Sequence, residues 1–322
     1  MITLSKIAHL ANVSVSTASK AFSMSPEVNE ETRENIFNIA KKHGCFKKFF
    51  NAKYPKLVVA VICPEFESHY YASILARLQI SLDKRGCEIC VATTQFSKKR
   101  GMELVSYYSK YARVDGIVIL DGASALEEPS DLPIVCTGKT NDYAISVNVN
   151  SRTALEKAID YFISHGVKDI GFIGEWHTNT KLDAFKDIMT ERLGGVNPDF
   201  VRVGNRFADG AYVTTKKMIE DGKIPRALIC AYDYLAIGAM RCLTENGYKI
   251  PRDVAIIGMD NIPEAQFLNP PLSSIDSNTT DMCEALADTL LNMMMGKPYN
   301  RKTVIEATLK LRKSSEIGET ND

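Results

Sequence analysis

Residues 14–20 read SVSTASK, with three serines, one threonine and one lysine in seven positions and no acid. Short hydroxyls and an ammonium at helical spacing suit hydrogen bonds to phosphates or base edges. A second set of reactive types lies downstream. Glu65, Glu67, Tyr70 and Tyr71 sit together in CPEFESHYYA, and Asp121, Asp233 and Asp260 end apolar runs. Tyrosines there offer stacking faces and hydroxyls, and a carboxylate at Asp233 can cap a helix and accept ligand hydroxyls. Acids at strand ends also occur in enzymes, so carboxylate pairs alone leave a hydrolase open. No catalytic set accompanies them: His69, His165 and His177 lack metal-ligand spacing, and no serine occupies a nucleophile elbow. Cys87-x-x-Cys90 reads as strand in GCEICVAT, without the helix start of a redox pair or the second pair of a zinc site. The eight cysteines are expected as small buried hydrophobes in a reducing cytosol. No metal and no cofactor is expected.

The hydroxyl-rich stretch needs a helix to present it. Leu4, Ile7, Ala8 and Ala11 recur at helical spacing behind Thr3 or Ser5 as a cap. Asn12-Val13-Ser14 breaks that helix, and Ser14 caps a second whose Ala18, Ala21 and Phe22 turn inward. Val15, Ser16 and Lys20 are left outward, with Thr17 and Ser19 as short donors. Asn29 caps a third helix with Ile36, Phe37, Ile39 and Ala40 inward, and Gly44 stops it. Three helices with a tight turn fit a helix-turn-helix unit, whose second helix enters the major groove. A small helical interaction module is the other reading. Charge favours the first: residues 1–56 hold eight lysines and one arginine against four glutamates, +5 in a chain of net zero charge.

The acids and tyrosines need a different frame. From Leu57 apolar runs alternate with amphipathic stretches: 57–64, 87–93, 115–120 and 133–138, then 168–174, 226–231 and 253–259. This β-α order predicts parallel sheets covered by helices, in two subdomains parting near residue 150. Ligands of such sheets sit beyond the C-terminal strand ends, so a cleft between two of them surrounds one small molecule. No G-x-G-x-x-G opens a helix and no G-x-x-x-x-G-K-S/T occurs, which excludes nucleotide chemistry. No signal peptide or membrane-length apolar run is visible, so a cytoplasmic protein with no membrane partner is expected.

IAHLANVSVSTASKAF followed by VNEETRENIFNIAKKHG resembles the DNA-binding headpiece of the lactose/galactose repressor (LacI/GalR) family. VDGIVIL, GVKDIGFIG, AYDYLAIGAMRCLTENGYKIPRDVAIIGMDNIP and LNPPLSSID resemble landmarks of that family's periplasmic-binding-protein-like core. The implied fold is α/β: a three-helix helix-turn-helix headpiece at 1–46, a linker at 47–56, a core N-subdomain at 57–149 completed by about 276–310, and a C-subdomain at 150–275. The polar tail 313–322 is expected to be disordered. The resemblance puts Val15 and Ser16 at the base-reading positions, and Thr17, Ser19, Asn29 and Thr32 near the phosphates. Lys20 stands where the family has arginine, which keeps charge but loses the bidentate fork. Lys181, four residues before Phe185, replaces the ligand-clamping arginine. Phe207 resembles a pocket aromatic, Trp176 is placed to shape the pocket, and Asp233 and Asp260 are expected at the effector.

The connector CFKKFFNAKYPK is shorter than the family's hinge and lacks its leucine pattern. Phe49 or Phe50 can replace that leucine as a minor-groove wedge, or pack against the headpiece or a partner subunit. Lys53 is expected at the phosphates. The core is expected to dimerise through the helix YYASILARLQISLDKRG, with Ile74, Leu75, Leu78 and Leu82 shared between subunit core and partner, and without the family's tetramer heptads. The implied function is that of a transcriptional regulator, a repressor rather than an enzyme. A homodimer would read a near-palindromic double-stranded DNA operator under control of a sugar or sugar derivative. A DNA-binding regulator with a degenerate pocket and a carbohydrate-binding protein are the alternatives.

Overall fold

The computed structural model describes residues 2–49, 56–112, 114–121, 130–138 and 143–318. The chain divides into two compact units, residues 1–57 and 58–322.

The first unit holds α1 (Leu4–Leu10), α2 (Val15–Phe22), α3 (Glu30–Lys42) and a single turn, α4 (Phe46–Phe49). Each of the first three starts on a side-chain cap. Thr3 accepts the Lys6 N–H at 3.3 Å, Ser14 that of Thr17 at 2.9 Å and Asn29 that of Thr32 at 2.8 Å. Ile7, Ala11, Ala21, Phe22, Val28, Ile36 and Ala40 form the core, the alanines letting the short helices approach closely. Arg33 is buried and donates to the carbonyls of Ser25 (2.9 Å) and Val28 (2.6 Å), which pins the loop between α2 and α3.

The start of the linker departs from the hinge expectation. Cys45 is buried in the headpiece core. The Phe46 ring lies 4.9 Å from Phe37 and 6.1 Å from Phe22, and Phe49 lies 5.8 Å from Phe22. Phe49 therefore packs half-buried against the headpiece core, the alternative to the wedge, since contact with the Phe22 ring is more favourable than water. Phe50 and Lys53 lie outside the described residues.

In the second unit β1 (Leu57–Cys63), α5 (His69–Asp83), β2 (Cys87–Thr93), α6 (Lys98–Lys110), β3 (Gly116–Ile119), β4 (Ile134–Cys136) and β5 (Ile145–Asn150) build the first lobe. The second follows with α7 (Arg152–Ser164), β6 (Ile170–Glu175), α8 (Asn179–Leu193), β7 (Val201–Gly204), α9 (Phe207–Glu220), β8 (Ala227–Cys230), α10 (Asp233–Glu245), β9 (Ala255–Met259) and β10 (Ser273–Asp276). The chain then returns through α11 (Thr279–Met294), β11 (Lys302–Glu306) and β12 (Thr308–Lys310). Sheet orders are β11-β5-β4-β3-β1-β2 and β12-β10-β9-β8-β6-β7. β12 runs antiparallel to β10, so residues 308–310 belong to the second sheet instead of completing the first. β5, β7, β10, β11 and β12 escaped the sequence reading because each is short or interrupts its apolar residues with polar ones, leaving no continuous apolar run.

The helix expected at the dimer seam sends most of its apolar residues into the core of its own chain. On α5, Ile74, Leu78 and Leu82 are buried against Met282, Leu286 and Leu290 of α11 within the same chain, and Arg85 ties the two helices through Glu284 and Asp288, each at 2.7 Å. Leu75 is half-buried, and the large apolar residue that this helix exposes is Ile80. The expectation of a disordered tail is corrected for residues 313–315, which form a turn tied to the core. Ser314 donates to the Ile256 carbonyl at 2.7 Å and accepts the Ser273 N–H at 2.8 Å, and Tyr161 donates to the Ser315 carbonyl at 2.9 Å. Its polar side chains serve as internal hydrogen-bond partners for β9 and β10, which composition alone does not reveal. Cys87 and Cys90 pack on opposite faces of the first sheet, as strand alternation requires.

Candidate functional site

On α2 the inward residues Ala18, Ala21 and Phe22 fix which face is free. Val15 is 47% exposed, and Ser16, Ser19 and Lys20 are exposed beside it. Thr17 is half-buried, its hydroxyl 2.8 Å from Ser14 Oγ, so it serves the cap as well as the surface. Asn29 is exposed with its Oδ1 used by the α3 cap, and Thr32 supplies the capped N–H. Lys20 Nζ sits 2.5 Å from Glu27, both side chains being open to solvent. Glu27 was not singled out in the sequence: it lies seven residues away, in the loop that Arg33 holds. A surface pair of this kind is weak and exchanges readily for another anion.

In the second unit the C-terminal strand ends of the two sheets border a cavity of about 310 Å³. Its backbone is unusual. Phe96 (φ 60°), Asp121 (55°), Phe207 (62°) and Asp260 (94°) all line it in the left-handed region. A phenylalanine there is strained, and such strain gathers at ligand-binding sites. Phe207 is held by the Tyr232 hydroxyl, which accepts its N–H at 2.9 Å.

Tyr70, Tyr71, Lys181, Phe207 and Asp260 all line this cavity. Burial raises both tyrosine hydroxyls, and Tyr71 donates to Asp121 at 3.2 Å. Lys181 donates to the Ala231 carbonyl at 2.7 Å and lies 3.6 Å from Asp260, which also accepts from Ser277 at 3.3 Å. Three expected residues are placed otherwise. Glu67 is exposed and away from the lining. Trp176 is 58% exposed and does not line the cavity, because the turn at Trp176–Thr178 is fixed instead by the buried Glu175, which accepts the His177 N–H at 2.9 Å. Asp233 borders the cavity but is fully buried, and its two oxygens accept from Ser274 Oγ (2.7 Å) and the Ile262 N–H (2.8 Å). It makes no cap on α10: it ties the ends of β8, β9 and β10 together.

Contacts across the cleft were not legible in the sequence. Both Arg206 terminal nitrogens bond Glu65 of the first lobe. The Arg206 guanidinium lies 5.4 Å from the Phe96 ring and 4.5 Å from that of Phe207. Phe96 of the first lobe stacks on His177 of the second, with centroids 3.9 Å apart at 14°. Partners 141 and 81 positions apart leave no spacing signal. Among the described residues no cluster of side chains has the makings of a metal site, and no helix is long and apolar enough to cross a membrane.

Residues 3–45 match the model for bacterial regulatory proteins of the lacI family, and residues 159–315 match the periplasmic binding protein-like domain. The HTH-type transcriptional repressor PurR of Pasteurella multocida is 27% identical over 98% of both chains. The ribose operon repressor of Haemophilus influenzae is 25% identical over the same shares. Among solved structures, a complex of the transcriptional regulator CelR with cellobiose superposes with a TM-score of 0.67 at 22% identity, over 98% of this chain and all of that one. The lac repressor dimer bound to operator superposes with a TM-score of 0.70 at 20% identity, over 98% and 99%.

Proposed function

The chain belongs to the lacI family of bacterial regulatory proteins, as a DNA-binding transcriptional regulator with an effector-binding cleft, and from that premise we propose that it is a repressor. It binds a near-palindromic operator as a homodimer, and a small sugar or sugar derivative in the cleft of the second unit controls it. The observation that carries this reading is the free face of α2. Val15, Ser16, Ser19 and Lys20 are exposed on a helix whose opposite face is locked into a core, which is the presentation that groove reading needs. Repression is supported by the names of the relatives, and a sugar by the cellobiose complex of a similar fold together with carboxylates and aromatic rings lining one cavity. The effector acts by preferring one arrangement of the two lobes, since only differential affinity shifts a DNA-binding equilibrium.

Ser16→Ala, with the fold intact by circular dichroism, is expected to change the preferred base at one position of each half-site and to weaken binding there by about 1–3 kcal/mol. If affinity and base preference both stay unchanged, α2 is not the recognition helix. A second reading, a regulator that works without an effector, draws on the contacts that already close the cleft: Glu65 with Arg206, and Phe96 on His177. The two readings part on whether any sugar alters operator affinity at fixed salt.

A further inference from the structure

We propose that the effector carries no negative charge: it is a polyhydroxylated molecule in neutral or amino form, and its phosphorylated and acidic counterparts are excluded. This rests on the reading of the cleft as an effector site and adds the charge class that the site selects. Three carboxylates border the described wall, Asp121, Glu175 and Asp260, beside Lys181 and Arg206. The cations that would receive an anion are already engaged. Lys181 donates to the Ala231 carbonyl at 2.7 Å with Asp260 at 3.6 Å, and Arg206 has both terminal nitrogens on Glu65. A phosphate or carboxylate entering here loses its hydration, faces like charge, and meets no disengaged lysine or arginine among the described lining residues.

Asp121 supplies the attractive half of the selection. One of its carboxylate oxygens accepts the Tyr71 hydroxyl at 3.2 Å, while its backbone N–H donates to Thr137 Oγ1 at 2.8 Å. The basic group that acts on it is the His177 imidazole, with no lysine or arginine among its partners in the described residues. Asp233 has a donor on each oxygen, Glu175 is buried with His177 N–H on one oxygen, and Asp260 is largely buried with Lys181 and Ser277 on one oxygen, so Asp121, the exposed one, is the carboxylate best able to take a ligand donor. Aromatic rings stand beside it: Tyr71 lies 5.3 Å from Tyr70 and 6.4 Å from Phe96. Sugar hydroxyls donate to a carboxylate in such a wall, and an ammonium does so with charge assistance and a cation–π contribution from the rings.

The test is titration calorimetry of the full-length protein, at one salt concentration, with matched series built on glucose, galactose and mannose. Each series comprises the neutral hexose, its 2-amino form, its 6-phosphate and its aldonic acid. In any series that binds, the neutral or amino member is expected to bind at least about a hundredfold tighter than the phosphate or the acid. The neutral and amino arms show which of the two forms the site prefers. Asp121→Asn is expected to weaken the amino member more than the neutral one and to narrow the gap to the phosphate. A phosphate or acid that binds as tightly as the neutral sugar overturns the charge selection while leaving the effector reading standing. Failure of every member to bind overturns the sugar reading itself, and this inference with it.

Discussion

Burial pushes the Asp233 carboxyl up to about 8, outweighing the donors from Ser274 and Ile262 that favour its ionised form. The folded protein thus binds a proton there more tightly than the unfolded chain, whose carboxyl titrates near 3.8. Stability from this group is fully present below the unfolded value and is lost as pH rises toward about 8. Asp121, also raised by burial, acts in the same direction. The melting temperature of the wild-type core is therefore expected to fall between pH 5 and pH 8 more steeply than that of Asp233→Asn. Equal slopes in a calorimetric pH series would show that Asp233 is ionised throughout. The same residue marks a limit of sequence reading. An acid between an apolar strand and a helix announces a strand-end position, but whether it faces ligand or holds strand ends together depends on Ser274 and Ile262, which are 41 and 29 residues away. Tyr70, Tyr71, Lys181, Phe207 and Asp260 were legible because each lies beside a strand end or a helix start, where parallel sheets put their ligands. Arg206, Phe96 and His177 were not, since nothing local marks a stack or an ion pair formed across the cleft.

Elements were most legible where side chains end them. Thr3, Ser14 and Asn29 fixed the first three helices, and long apolar runs fixed the central strands. The connector was the element least open to such reading, because its three phenylalanines can serve a wedge or a core equally well. In the fold, Phe46 and Phe49 close a ring cluster on Phe22 and Phe37 and extend the headpiece by one turn. Phe49→Ala is expected to destabilise the headpiece by about 1–3 kcal/mol, less than for a fully buried ring because Phe49 is half-exposed. Thermal unfolding of the full-length protein, followed by limited proteolysis within residues 1–57, measures this. Unchanged headpiece stability combined with lost operator binding would return Phe49 to the wedge role.

At the scale of the whole molecule, two sheets share one cleft, and the contacts across it set how readily it opens. The Glu65–Arg206 pair is largely buried, with side-chain exposures of 12% and 22%. Removing one partner lies between the ~1 kcal/mol of an exposed pair and the ~3–5 kcal/mol of a buried one. Glu65→Gln is expected to favour the open cleft and raise hydrogen exchange around Phe96, Arg206 and Phe207. Identical exchange in both proteins would mean that the pair contributes nothing to closure.

The account stands or falls on whether this chain reads DNA by sequence. Its most direct test is selection of bound duplexes from a random library with the full-length protein at fixed salt, because phosphate contacts alone give salt-dependent affinity without sequence preference. The predicted result is an enriched near-palindrome, with two half-sites that each carry the base preference of α2. Binding without any enriched sequence would contradict it, leaving a basic headpiece that holds DNA but does not read it.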